Sequence, residues 1–503
     1  MPDTIDELVR LHATHAADKP MVTDPEGRVT YAELDSVTRD LAAAFVAAGV
    51  GKGTRVGLIM PNCVQWVEIA IALTRIGAVL VPLSTLLQAP ELVAQLRVAS
   101  VQYLIAVQEF RGHRYLDIVA REQANLPALH EVWDADDLPQ STSDARIDAI
   151  TATVTPSDTL AIMFTSGSSG PPKGVIHSHG NALSAVRSGL DARCIDADTR
   201  LYLPMPFFWV GGFGSGVLSA LLAGATLVTE RIPRPETTLR LLERERVTLF
   251  RGWPDQAAAL ARETDSVTAD LSSLRPGSLE ALLPADQRAE PGARAKLFGM
   301  TESFGPYCGY RADTDMPRSA WGSCGKPFDG MDVRIVDPED GTPVARGTIG
   351  MIQLRGPHMM RGICRRSHND LFTADGFYPT GDLGHLDDDG FMFYHGRSDD
   401  MFKVSGATVY PSEVEDALRT IDGVGGAFVT EVDGAVGAMV ISRSAVDELR
   451  DAARQRLSAF KVPTVWLAVD SDDAVPRKAT GKVDVPALRD LLRELGPRAS
   501  RGT

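Results

Sequence analysis

Short apolar runs alternate with amphipathic stretches through the first half of the chain. Thr30 and Glu33 stand at capping-box spacing, and the residues behind them keep a helical period through Ala48. Glycines between Gly49 and Gly53 end it. Arg55–Met60 then reads as a buried strand, Val64–Ile76 as a helix, Ala78–Pro82 as a second strand, Glu91–Val98 as a helix and Tyr103–Val107 as a third strand. The rhythm returns with a strand at Leu160–Phe164, helices at Asn181–Leu190 and Val217–Ala223, and a strand at Thr226–Thr229. Short apolar strands separated by helices predict an α/β fold whose parallel sheet is covered on both faces.

The pattern changes near Trp321. Val333–Val336, Gly350–Leu354, Phe377–Tyr378 and Phe391–Tyr394 are short strands between Gly, Pro and Asp turns, a small β-rich unit. A compact α+β piece follows from about Asp400. It has helices at Pro411–Thr420 and Val446–Leu457, a hairpin of Gly426–Val432 and Ala435–Ile441 around Asp433–Gly434, and a strand at Val465–Val469. Beyond about Leu492 the chain is expected to fray. The expected organisation is a large N-terminal domain, residues 1–398, with a β-rich subdomain over about 321–398, and a small mobile C-terminal domain, residues 399–503.

A chain of 503 residues exceeds one compact core, in keeping with that division. A net charge of −15 argues against nucleic acid or an anionic membrane as the main partner. Five cysteines, an odd number with no CxxC pair, fit buried thiols in a reduced cytoplasmic protein. No apolar run of about 20 residues predicts an integral membrane segment, and the N-terminus lacks a signal-peptide pattern.

The candidate chemistry begins after the Leu160–Phe164 strand, with Thr165-Ser166-Gly167-Ser168-Ser169-Gly170-Pro171-Pro172-Lys173-Gly174. Glycines let the backbone approach a ligand, hydroxyls and free N–H groups wrap anionic oxygens, and Lys173 adds a point charge. It lacks the GxxxxGK[ST] order of the usual NTPase loop. The segment resembles the phosphate loop of the adenylate-forming superfamily, which includes acyl-CoA synthetases, carrier-protein adenylation domains and luciferases. Four further motifs follow in that family's order, and the likeness covers roughly residues 20–490.

The resemblance implies roles residue by residue. In Phe298-Gly299-Met300-Thr301-Glu302, Phe298 would stack on adenine beside Gly299 and Met300, Thr301 would bind the α-phosphate and Glu302 would hold Mg²⁺. In Tyr378-Pro379-Thr380-Gly381-Asp382, Asp382 would accept both ribose hydroxyls, with Tyr394 and Arg397 also at the nucleotide. Asp399 would be a hinge, and Lys403, Ser405 and Gly406 would line the tunnel for the thiol of coenzyme A. Lys482, in Pro476-Arg477-Lys478-Ala479-Thr480-Gly481-Lys482, would bridge the substrate carboxylate and the α-phosphate. The implied reaction is ATP-dependent formation of an acyl-adenylate with loss of pyrophosphate, then transfer of the acyl group to coenzyme A.

The acid pocket would be lined by Phe207, Phe208, Trp209, Gly211, Gly212, Phe213 and Phe304. Trp209 stands where the family commonly has His, and Pro276–Ala281 replaces a Gly-Gly-Ala-Pro type of segment in a shortened 274–297 stretch. Apolar and aromatic candidates point to a hydrophobic acid, fatty or aromatic/alicyclic. Two alternatives stay open: transfer to a carrier protein or an amine, and an inactive nucleotide-binding homologue. Assembly is also open, with a homodimer as one option.

Overall fold

The computed structural model describes residues 2–140, 146–165, 172–398, 402–404, 407–457, 461–478, 481 and 483–496. Two compact units emerge: residues 1–332 with 354–378, and residues 333–353 with 379–503. The residues over about 321–398 are shared between the units: 333–353 and 379–398 group with the C-terminal residues, 321–332 and 354–378 with the larger unit.

The larger unit carries a seven-stranded sheet. Strands Arg55–Ile59, Val79–Pro82, Tyr103–Ala106 and Glu131–Asp134 run parallel, with Arg55–Ile59 between Val79–Pro82 and Tyr103–Ala106. Strand Thr159–Thr165 joins parallel to Val79–Pro82. The sheet is not parallel throughout. Lys173–Ser178, which the sequence reading missed, returns antiparallel along Thr159–Thr165 with Thr165 opposite Lys173, and Gly362–Ile363 adds a second antiparallel edge. The glycine-rich loop is therefore a hairpin connection, and its residues Ser166–Pro171 lie outside the described residues.

A second sheet of five short strands has Arg200–Tyr202 between Thr226–Val228 and Leu249–Phe250, all parallel. Its edge is the Pro20–Thr23 and Arg28–Thr30 hairpin. The helix after it starts where the capping box places it: Thr30 Oγ1 accepts from the Glu33 N–H at 3.2 Å, and the Glu33 carboxylate accepts from the Thr30 N–H at 2.8 Å. Helix Val64–Arg75 is apolar nearly all round because it is enclosed; Trp66, Val67, Ile69 and Ile71 are fully buried in the main core.

In the smaller unit the hairpin falls at Gly426–Val432 and Ala435–Ile441, and Val465–Val469 extends it in parallel. Helices Pro411–Arg419, Val446–Arg454 and Val485–Leu495 cover the sheet with buried Val414, Leu418, Leu449, Leu488 and Leu492. The last of these helices is well formed through Leu495, three residues past the expected fraying point. All five cysteines are free and buried. Among the described residues no helix is long and apolar enough to cross a membrane.

Candidate active site

The Phe298–Glu302 motif is built on a tight reversal. Strand Phe298–Met300 pairs antiparallel with Gly305–Gly309. Between them Thr301–Ser303 form one 3₁₀ turn, and Phe304 takes a left-handed backbone with φ of 51°. Ser303 staples the turn: its Oγ accepts from the Met300 N–H at 3.3 Å and reaches the carbonyl of Gly305 at 2.7 Å. Phe298 is half-buried, edge-on to Tyr307 with centroids 5.8 Å apart.

Glu302 is buried, and its backbone carbonyl accepts from the Met360 N–H at 2.8 Å. Tyr378 Oη donates to Glu302 Oε1 at 3.2 Å. No Arg, Lys or His pairs with this carboxylate among the described residues. A buried anion without a counter-charge among the described residues fits a hard divalent cation.

The returning strand Lys173–Ser178 brings His177 beneath this turn. Asn181 Oδ1 accepts from the Ser178 N–H at 2.7 Å, so Asn181 Nδ2 is the donor to His177 Nδ1 at 2.9 Å and to the His358 carbonyl at 3.1 Å. That leaves the ring proton on Nε2. Burial pushes the imidazole down to about 3, so His177 is neutral at physiological pH. Its ring stands edge-on to Phe304 at 4.8 Å.

Of the acid-pocket candidates, Phe207 and Phe213 are fully buried core residues packed on Trp66, with centroids at 5.1 and 5.7 Å. Phe304 joins the same core through Phe213. Asn62 fixes the loop before them, donating to the Met205 carbonyl at 2.9 Å and accepting from the Phe207 N–H at 2.8 Å. Trp209 stands apart, half-buried between two edge-on rings, Phe208 and Trp253, each at 5.7 Å. Helical structure starts at Val210, earlier than expected, and its Phe213–Leu218 stretch is π-helical. Gly212 is required there, because a Cβ would overlap the Pro206 carbonyl. Gly211 lies against Met205 Sδ.

In the smaller unit Asp382 and Arg397 face each other across antiparallel strands Tyr378–Leu386 and Met392–Arg397. Arg397 Nη1 donates to Asp382 Oδ1 and to the Thr380 carbonyl, both at 3.1 Å. Thr380 Oγ1 accepts from the Asp382 N–H at 3.0 Å. Gly381 has φ of 75°, and a Cβ there would press on Arg397 Nη2, so glycine lets the guanidinium close over the turn. Tyr394 is exposed on the strand that carries Arg397. Lys403 pairs through its backbone with Thr408. Asp399, Ser405, Gly406 and Lys482 lie outside the described residues, as do Ser166, Gly167, Ser168, Ser169 and Gly170.

Sequence reading named the motif residues and missed their supports: Ser303, Tyr378 as a hydrogen-bond donor to Glu302, Asn181 with His177, and Trp253. None carried a local signal: Trp253 follows the carboxyl end of a parallel strand, where α/β folds place ligands, but that strand, Leu249–Phe250, is too short to be read in the sequence.

Nucleotide-motif residues on such a scaffold define an adenylating class of enzyme. The sequence matches the family described as "AMP-binding enzyme" over residues 9–364, and the chain belongs to that family. Within it the chain is an AMP-forming acid–thiol ligase. It is 34% identical to the 3-[(3aS,4S,7aS)-7a-methyl-1,5-dioxo-octahydro-1H-inden-4-yl]propanoyl:CoA ligase of Mycobacterium tuberculosis, covering 98% of each chain. It is 33% identical to a feruloyl-CoA synthase of an Amycolatopsis species, covering 90% of this chain and 92% of that one. Among solved structures it is similar to the anthranilate CoA ligase in complex with anthranoyl-AMP, with a TM-score of 0.82, 25% identity and 98% of both chains covered.

Proposed function

We propose that this ligase activates a ring-bearing, largely apolar carboxylic acid with MgATP and delivers the acyl group to coenzyme A. The single observation that carries the choice of acid is the Trp253–Trp209–Phe208 edge-to-face row, which offers flat apolar surface where the sequence reading places the acid. The acids named for the relatives above all contain a ring.

The chemistry follows from charge. Hydroxide is a poor leaving group at neutral pH, so attack of the carboxylate on the α-phosphorus makes AMP the later leaving group. Two anions must meet, and positive charge has to lie between them. In this reading Thr301 and the Gly167–Gly170 amides hold phosphate oxygens, Lys173 and Lys482 supply fixed charge, and Phe298 receives the adenine. Asp382, oriented by Arg397 and Thr380, takes the ribose hydroxyls. Glu302 would hold Mg²⁺, which when bound neutralises charge on the phosphates. Removing the Tyr378 hydroxyl takes one hydrogen bond from that carboxylate. Tyr378→Phe is expected to raise the Mg²⁺ concentration for half-maximal pyrophosphate release about fivefold, from ~1 kcal/mol.

The test is incubation with MgATP and matched fatty, aromatic and alicyclic acids, with and without coenzyme A, read by mass spectrometry. Ring-bearing acids are expected to give acyl-CoA and AMP. Acyl-AMP that persists in the presence of coenzyme A would instead favour a carrier protein or an amine as acceptor. Better turnover of straight-chain acids would overturn the choice of acid.

A further inference from the structure

Asn181 stands at the third position of helix His179–Ser188, where its side chain completes a capping box with Ser178. Its Oδ1 accepts from the Ser178 N–H at 2.7 Å, and its own backbone N–H donates to Ser178 Oγ at 3.3 Å. Of the side chain, capping uses that oxygen alone. Aspartate would cap as well, and would add the negative charge that a helix N-terminus favours. What aspartate lacks is the amide nitrogen, and both of its protons are used. One goes to His177 Nδ1 at 2.9 Å and the other to the His358 carbonyl at 3.1 Å. The orientation of the amide is fixed from both ends, because the Ser178 N–H requires an acceptor and the His358 carbonyl a donor. Asn181, His177 and His358 are all buried.

Both bonds lead to the turn that carries Thr301 and Glu302. His358 stands two residues before Met360, whose N–H donates to the Glu302 carbonyl at 2.8 Å. The same segment is laced to strand Lys173–Ser178: the Arg361 N–H donates to the Ile176 carbonyl at 2.8 Å, and Gly362–Ile363 pairs antiparallel with that strand. On the other side His177, with its proton on Nε2, turns that nitrogen toward the Thr301 backbone. Nε2 is buried, and no full hydrogen bond closes there. The ring also stands edge-on at 4.8 Å to Phe304, the residue that closes the turn.

Burial keeps both imidazoles neutral, pushing His177 down to about 3 and His358 to about 4. Neither they nor Asn181 supply a positive charge that would compete with a metal for the Glu302 carboxylate. One neutral amide thus joins two separate supports of the same turn.

We infer that Asn181 is a positioning residue for adenylation: its amide fixes the His177 tautomer and the His358–Met360 segment together, and so sets the Thr301–Glu302 turn against the strand that carries Lys173. This rests on the ligase reading, in which Thr301 and Lys173 meet phosphate and Glu302 the metal, and adds to it a residue outside the motifs read from the sequence. With aspartate at position 181 the His177 Nδ1 would have to donate to the carboxylate. The ring proton then leaves Nε2, whose lone pair faces the Thr301 backbone carbonyl, and the His358 carbonyl faces a carboxylate oxygen. Two acceptor pairs repel where donors had been, and the turn is pushed from its place.

The experiment compares Asn181→Asp, His177→Gln and His177→Phe. Glutamine returns an amide N–H where Nε2 stood, and phenylalanine keeps the ring against Phe304 without one. Asn181→Asp and His177→Phe are expected to lower kcat for acyl-AMP formation by about 10- to 100-fold, with the KM for the acid changed by less than about threefold, while His177→Gln stays within about fivefold of the wild type. Asn181→Asp is also expected to need more Mg²⁺ for half-maximal pyrophosphate release; the added negative charge alone would act the other way, by attracting the ion. Nitrogen NMR of histidine-labelled protein reads the tautomer without turnover. His177, identified by the signal lost in His177→Gln, is expected as Nε2–H in the wild type and as Nδ1–H in Asn181→Asp. An Nδ1–H ring in the wild type, a full-rate Asn181→Asp, or a His177→Phe as active as His177→Gln overturns the inference and leaves the ligase reading standing. If Asn181→Asp does not fold, the two His177 variants and the wild-type tautomer decide the matter. Failure of the wild type to release pyrophosphate with any acid would sink the ligase reading and this inference with it.

Discussion

Glu302→Gln is expected to slow acyl-adenylate formation by about 100- to 1,000-fold and to flatten its dependence on Mg²⁺. The substitution is close to isosteric. The Glu302 backbone carbonyl still accepts from Met360, and an amide oxygen can still accept from Tyr378 Oη, so the turn between the paired strands keeps its supports. What disappears is a negative charge in a buried place that no described cation balances. If that charge holds the metal, single-turnover pyrophosphate release falls and saturates only at much higher Mg²⁺. A uniform loss of rate with the Mg²⁺ dependence intact would mean that Glu302 shapes the turn without holding the ion. Thermal unfolding separates both from misfolding, and the variant is expected to be at least as stable as the wild type in the absence of metal, since a neutral group replaces an uncompensated anion.

Legibility in the sequence tracked how local each signal was. The Thr30/Glu33 box started its helix on register, and the Asp433–Gly434 turn fixed both strands of its hairpin, because turn chemistry and alternation sit within a few residues. Lys173–Ser178 was missed because its partner across the sheet, Thr159–Thr165, supplies the strand's order, and nothing in KGVIHS announces it. The five-stranded sheet was largely invisible for a related reason. Leu249–Phe250 and Arg200–Tyr202 are two and three residues long, too short for any period to register. The helix at Val217–Ala223 was found, but its start at Val210 was obscured by glycines at 211, 212, 214 and 216, which buried packing tolerates there.

The same rule divides the candidate site. Glu302 and Asp382 each lie within a short contiguous motif and could be named there. Tyr378 comes from 76 residues away to reach Glu302, and Asn181 reaches the His358 carbonyl from 177 residues away.

Arg75→Met is expected to cost about 3–5 kcal/mol of stability. Arg75 is fully buried at the end of helix Val64–Arg75. Its Nε and Nη2 donate to Asp6 Oδ1 at 2.9 and 2.6 Å, and Nη2 also pairs with Asp35 Oδ1 at 2.8 Å. Nη1 donates to the Asp35 carbonyl at 3.0 Å and to Thr38 Oγ1 at 2.7 Å. One guanidinium thus ties helix Ile5–His15 to helices Tyr31–Ala47 and Val64–Arg75. A methionine fills similar volume and leaves Asp6 and Asp35 without this counter-charge; among the described residues Asp6 keeps only Arg10, whose side chain is 40% exposed. Removing one partner of a buried ion pair strands the others. Urea unfolding reads this directly: Arg75→Met should move the midpoint down strongly, and an unchanged midpoint would mean that the Asp6–Arg75–Asp35 cluster adds nothing to stability.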